Sequence, residues 1–192
     1  MTNPVVQAAL FLINSLFSLY ILAVLLRFLF QTTRADFYNP FSQALVTITN
    51  PTLVPLRRII PGLYGFDLAA IVLLLILECV KNYLKALVVG YYPPVVALLV
   101  LSVAELLETT VYLFIVTIIV RVIVSWVAPY GSYNPALGLL VSLTEPLLRP
   151  ARRLIPPISG LDLSPIVVFT LLYLTLIIVV WPLKSYGVAL FG

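Results

Sequence analysis

One block of residues occurs twice in this chain, the second copy 95 positions after the first. Tyr38-Asn39-Pro40 returns as Tyr133-Asn134-Pro135, and Thr49-Asn50-Pro51 as Thr144-Glu145-Pro146. Pro55-Leu56-Arg57-Arg58-Ile59-Ile60-Pro61 returns as Pro150-Ala151-Arg152-Arg153-Leu154-Ile155-Pro156, and Gly65-Phe66-Asp67 as Gly160-Leu161-Asp162. No gap opens between these landmarks. An ungapped register of that length marks a duplication. Whatever the first half folds into, the second half is expected to repeat.

Long apolar runs flank both copies. The chain is 62% hydrophobic and 9% charged, whereas a soluble domain carries roughly 25% charged residues. The expected fold class is an all-α membrane protein with four transmembrane helices, arranged as two tandem parallel-repeat hairpins. Each hairpin carries a short amphipathic helix and a Pro-Arg-Arg loop at the interface. The first repeat is residues 1–94, with spans at about 5–30 and 68–89 and a loop over 31–66. The second is residues 95–192, with spans at about 99–124 and 163–182 and a loop over 128–161. The first basic residue, Arg27, follows the first apolar run, which reads as a retained anchor rather than a cleaved signal. Val95 to Val127 is longer than one perpendicular span needs, so either that helix tilts and projects or 95–107 lies partly at the interface.

Within the loops, Asn39-Pro40 and Asn134-Pro135 read as helix cap and first helical position. Phe41, Ala44, Leu45 and Ile48, and then Ala136, Leu139, Leu140 and Leu143, recur at amphipathic helical spacing. Pro51 is expected to stop the first of these helices, because a proline pushes its predecessor out of helical geometry. Pro55 and Pro61, with Pro146, Pro150 and Pro156 in the second copy, shape the remaining loop. Asp67 and Asp162 suit the positive start of the following helix.

Histidine is absent and cysteine occurs once, at Cys79. No metal site, cofactor, phosphate loop or nucleophile with a base is expected, and the chain reads as a non-enzyme. The arginines are few and embedded among apolar residues, which speaks against nucleic acid. Arg57, Arg58, Arg149, Arg152 and Arg153 are candidates for binding anionic lipid headgroups, another membrane protein or a second copy of the chain. The plainer reading is that they only set topology. Counting basic residues puts both loops in the cytoplasm and both termini outside.

Glu78, Lys81, Glu105 and Glu108 fall within apolar segments. If the second and third spans form a hairpin around 91–94, Lys81 faces the level of Glu105, and Glu78 that of Glu108. Such residues form either a structural ion pair or a proton or cation path. The positions 95 later than Glu78, Lys81 and Lys85 are Tyr173, Leu176 and Val180. The charges are not repeated, which favours the structural pair.

Asp36-Phe37-Tyr38-Asn39-Pro40-Phe41-Ser42, the two Pro-Arg-Arg-Pro segments, Glu145-Pro146-Leu147-Leu148-Arg149-Pro150 and Asp162-Leu163-Ser164-Pro165 resemble the YggT family of small bacterial integral membrane proteins, which has YlmG-type and plastid relatives. The resemblance covers essentially the whole chain. It implies a multi-pass protein of the bacterial inner membrane with a structural or interaction role in osmotic or salt-stress and envelope homeostasis. The alternative is a small ion-translocating protein or a transporter accessory subunit. No catalytic residue is carried over from the family.

Overall fold

The computed structural model describes residues 3–63, 65–127, 135–156 and 162–191. Among them the fold is all-helical, with one isolated bridge between Leu63 and Phe66. The elements are α1 (Pro4–Thr32), α2 (Pro40–Ile59), α3 (Leu68–Val88), α4 (Val95–Val127), α5 (Pro135–Leu154), α6 (Ser164–Thr175) and α7 (Trp181–Ala189). A π-helical turn, Leu176–Val180, joins α6 to α7 in one continuous rod. Its physical cause is Pro182, which cannot donate to the preceding turn and forces the ladder to widen upstream. The last apolar helix therefore does not stop at Trp181-Pro182, as expected from sequence, but runs on to Ala189.

Among the described residues, three helical stretches are long and apolar enough to cross a membrane: Pro4–Thr32, Val95–Ser125 and Ser164–Ala189. Helix α3 has the length for a span but carries Glu78, Lys81 and Lys85. Residues 95–107 belong to one unbroken helix of 33 residues. At ~1.5 Å per residue it is about 50 Å long, against a hydrocarbon core of roughly 30 Å, so in a bilayer it must tilt or project.

The first correction concerns Pro51. It does not end α2, which continues through Pro51 and Pro55 to Ile59, and α5 likewise passes through Pro146 and Pro150. All four prolines are exposed. At i and i+4 the two in each helix share one exposed stripe. Asn39 caps α2 by accepting from Phe41 N at 3.0 Å, with Pro40 at the first helical position. Pro135 opens α5 in the same way; Asn134 lies outside the described residues. Pro61 and Pro156 follow the two helix ends.

The main packing runs from α1 to α3, α3 to α4 and α4 to α7. Ile21, Val24 and Leu25 of α1 bury against Ala70 and Leu74 of α3, with Leu53 of α2 and Leu143 of α5 closing one end. A second core joins Ile118 of α4 to Leu148, Ala151 and Val168. Helix α3 ends in a Schellman turn, with Gly90 at φ 79° and Tyr91 N donating to Ala86 O. Helix α1 ends in the same turn, Ala35 N donating to Phe30 O, but its left-handed position is held by Arg34 at φ 54°. A non-glycine residue there costs about 1 kcal/mol or more.

Candidate functional site

The duplicated segments meet the long helices through arginine. Arg27, one turn before the end of α1, is buried and donates from Nη1 to Thr49 Oγ1 at 2.6 Å and to Val46 O at 3.4 Å. The Thr49 hydroxyl passes the contact on to Leu45 O at 2.6 Å. In the second half Arg121 Nη1 donates to Thr144 Oγ1 at 2.7 Å, and Thr144 to Leu140 O at 2.6 Å. The arginines are 94 apart and the threonines 95. A long flexible side chain absorbs the one-residue slip, about 1.5 Å of rise.

A second clamp closes each loop. Arg57 binds Asp67 through Nε, at 3.1 Å, and Nη2, while Asp67 Oδ1 accepts from Ala70 N at 3.3 Å and caps α3. Arg152 Nε reaches Asp162 Oδ2 at 2.8 Å, and Asp162 Oδ1 accepts from Ser164 N at 2.9 Å. Asp67 thus both caps α3 and ties down the end of α2, whereas Asp162, expected as a cap, stands one residue before the Leu163 cap position of α6 and ties down the end of α5.

The two arginine pairs that look equivalent in sequence are split by this geometry. Arg57 and Arg152 turn inward to the aspartates, whereas Arg58, Arg149 and Arg153 are exposed and hold no ion pair among the described residues. Arg27 and Arg121 escape a search for arginine pairs. Their signal is a lone cation near the end of an apolar helix, matched in both repeats.

The second half's clamps include a carboxylate that the first half lacks. Glu145 bridges Arg121 Nη2 at 2.9 Å and Arg152 Nη1 at 3.0 Å. Its counterpart in the first half is Asn50. Burial alone would raise the Glu145 carboxyl, but the hydrogen bonds and charges of Arg121 and Arg152 outweigh it and hold the group below its ordinary value. Asp162 is held low in the same sense: burial opposes, and the bonds from Ser164 and Arg152 prevail.

In the first half a cavity of about 400 Å³ is lined by Arg27, Gln31, Arg34 and Arg57, with Phe30 and Leu45 among its apolar walls. Phe30 and Leu45 also wall a second cavity of about 340 Å³ with an entirely apolar lining. Phe41, Ala44 and Ile48 of α2 face it, as do Ala136, Leu139, Leu140 and Leu143 of α5. Both sequence-predicted amphipathic stripes therefore border one groove, and α2 and α5 lie at one end of the molecule.

Toward the other end, Lys81 Nζ sits 2.5 Å from Glu78 Oε2 and 3.1 Å from Glu105 Oε2. Asn82 Nδ2 donates to Ser102 Oγ at 3.3 Å beside them. The expected Lys81–Glu105 match is present. Glu108, however, is not partnered at the level of Glu78; it pairs with Lys184 of α7. Sequence reasoning missed Lys184, whose signal was a lysine beyond an apolar run opposite an otherwise unmatched glutamate. No group of acidic, histidine or cysteine residues fit to hold a metal occurs among the described residues.

Long apolar helices joined by inward-turned ion pairs and bordered by two amphipathic helices define an all-helical membrane protein. A family model described as CCB3/YggT matches residues 6–88 and 94–183, and the chain belongs to that family. It is 46% identical over 169 residues to the uncharacterized protein PA0392 of Pseudomonas aeruginosa, covering 87% of this chain and 85% of the relative. It is 38% identical over 163 residues to the uncharacterized protein YggT of Escherichia coli K12, covering 85% and 84%. An uncharacterized protein ycf19 of Guillardia theta is 32% identical over 60 residues, 31% of this chain and 66% of that one. No solved structure matches.

Proposed function

We propose that the chain is a non-enzymatic, four-span protein of the bacterial inner membrane that works through the paired interfacial helices α2 and α5. The spans are α1, α3, α4 and the α6–α7 rod, in two tandem hairpins of the same orientation. Two successive matches to one family model support the tandem reading. So do clamps at positions 95 apart: Thr49 and Thr144, Arg57 and Arg152, Asp67 and Asp162. Helix α3 is acceptable as a span because Glu78 and Lys81 pair with each other and Lys81 also reaches Glu105 of α4. The basic loops favour the cytoplasmic face and leave both termini outside.

The observation that carries the proposal is the division of labour among the arginines. Arg27, Arg57, Arg121 and Arg152 lock the interfacial helices to the spans. Arg58, Arg149 and Arg153 remain outward for anionic headgroups or an acidic partner, including a second copy of the chain. The role this suits is structural, in osmotic or salt-stress and envelope homeostasis. The test is recovery from osmotic upshift in a strain lacking the gene. An R58A/R149A/R153A variant is expected to insert normally and yet fail to restore recovery. Full restoration by that variant would refute the reading.

A second reading, a small proton or cation translocator or transporter accessory, rests on the buried Glu78–Lys81–Glu105 cluster. The same residues decide it, through the triple replacement described in the Discussion.

A further inference from the structure

We propose that the cavity between Arg27, Arg34 and Arg57 binds the phosphate of an anionic glycerophospholipid, with an acyl chain lying in the adjoining groove between α2 and α5. The inference rests on the membrane reading above and adds a specific ligand site to it. The protein's second half supplies the template. There the Glu145 carboxylate lies between Arg121 and Arg152, taking one hydrogen bond from Arg121 Nη2 and bonds from Arg152 Nη1. The first half keeps the matching threonine and aspartate contacts, but Asn50 replaces the carboxylate. Arg27 Nη2 and Arg57 Nη1, the atoms equivalent to those that hold Glu145, have no acceptor among the described residues. Two guanidinium groups lining one cavity favour an oxyanion between them, and phosphate offers the paired oxygens that arginine binds best.

Three further features make the oxyanion a lipid's. Arg34 adds a third cation at the rim, in the left-handed conformation that turns the chain at the end of α1. Gln31 lines the same wall and already accepts from Arg57 Nη2 at 3.1 Å, leaving its amide nitrogen as a donor for an ester or glycerol oxygen. Finally, the basic cavity shares Phe30 and Leu45 with a groove whose lining is wholly apolar. A soluble phosphate has no use for that groove. A diacyl lipid places its charged and apolar parts side by side in the same way.

The experiment is native mass spectrometry of the full chain released from detergent with added palmitoyl-oleoyl phosphatidylglycerol. Parallel arms use phosphatidylcholine with the same acyl chains and inorganic phosphate. The parent protein is expected to retain a single phosphatidylglycerol, to lose phosphatidylcholine at much lower collision energy, and to be unaffected by phosphate. Asn50→Glu installs the carboxylate of the second half and is expected to abolish retention while leaving the thermal melt intact. Glu145→Asn is expected to admit a second lipid. Undiminished retention by Asn50→Glu, no added lipid with Glu145→Asn, equal retention of phosphatidylcholine, or displacement by inorganic phosphate would each overturn the proposal. Any of these, with α2 and α5 still labelled from one membrane face, would refute the lipid site alone. Labels on opposite faces would remove the membrane reading as well.

Discussion

Lys81→Leu is expected to destabilise the fold by about 3–5 kcal/mol, the usual cost of stripping one partner from a buried ion pair. Lys81 is 6% exposed at its side chain and stands between Glu78 at 1% and Glu105 at 15%. Its removal leaves two largely buried carboxylates without the ammonium they share. A melt of the detergent-solubilised protein, followed by helical circular dichroism, reads the loss. Replacing Lys81 and Glu105 together is not a neutral control, because Glu78 also depends on Lys81. The proper control is E78L/K81L/E105L, which removes every charge of the cluster. Buried ion networks replaced by apolar residues of similar size are often neutral or stabilising, so the triple variant is expected to recover most of the parent's stability. It should also restore osmotic recovery. If purified parent protein instead conducts protons or cations in proteoliposomes, and the folded triple variant does not, the translocator reading replaces the structural one.

Gly187→Val is expected to cost up to about 3 kcal/mol, the upper range for overpacking a tight contact. A Cβ at residue 187 would lie 3.0 Å from Leu101 N and 3.1 Å from Leu101 Cα. The obstacle is the backbone of α4, which yields only if the whole helix shifts. The close approach also brings Lys184 to Glu108, so the substitution loosens that ion pair too. Small residues at helix crossings are how membrane helices pack when no hydrophobic force separates them from lipid. Gly138, within α5, provides the contrast. A Cβ at residue 138 would meet nothing within 4 Å, and Gly138→Ala is expected to gain about 0.5–1 kcal/mol from reduced chain entropy. Paired melts that show the two glycines behaving alike would remove the helix-crossing role of Gly187.

What the sequence revealed and what it hid follow from the range of each interaction. The amphipathic stripes Phe41, Ala44, Leu45 and Ile48, and Ala136, Leu139, Leu140 and Leu143, are set by local periodicity. They were legible, and the structure adds only that they border one groove. Asn39 and Asp67 were legible as caps because a cap is a contact between near neighbours. Pro51 misled because the local rule is sound while the outcome depends on where the proline points. On an exposed face water can satisfy the carbonyl that a proline leaves without its donor, so the lost hydrogen bond is tolerable. The split within each Arg-Arg pair could not be read from two adjacent identical residues. Which one turns inward depends on Asp67 and Asp162, each ten positions away across a turn. Lys184 and Glu108 are 76 residues apart, and only the continuation of the last helix past Pro182 brings them together. The difference that matters most for ligand binding, Asn50 against Glu145, was visible in the duplicated text. Its meaning required the arginines on either side.

The most direct measurement is the sidedness of the two basic segments. Arg58→Cys and Arg153→Cys, each in a Cys79→Ala background, place single thiols at exposed positions of α2 and α5. Tyr92→Cys, 77% exposed in the turn between α3 and α4, marks the opposite end. With a membrane-impermeant maleimide, residues 58 and 153 should label together in inverted vesicles and stay protected in intact spheroplasts, while residue 92 should do the reverse. Thiols at 58 and 153 that react from opposite sides of the membrane would show that the two halves are not parallel hairpins, and the shared groove between α2 and α5 could not form.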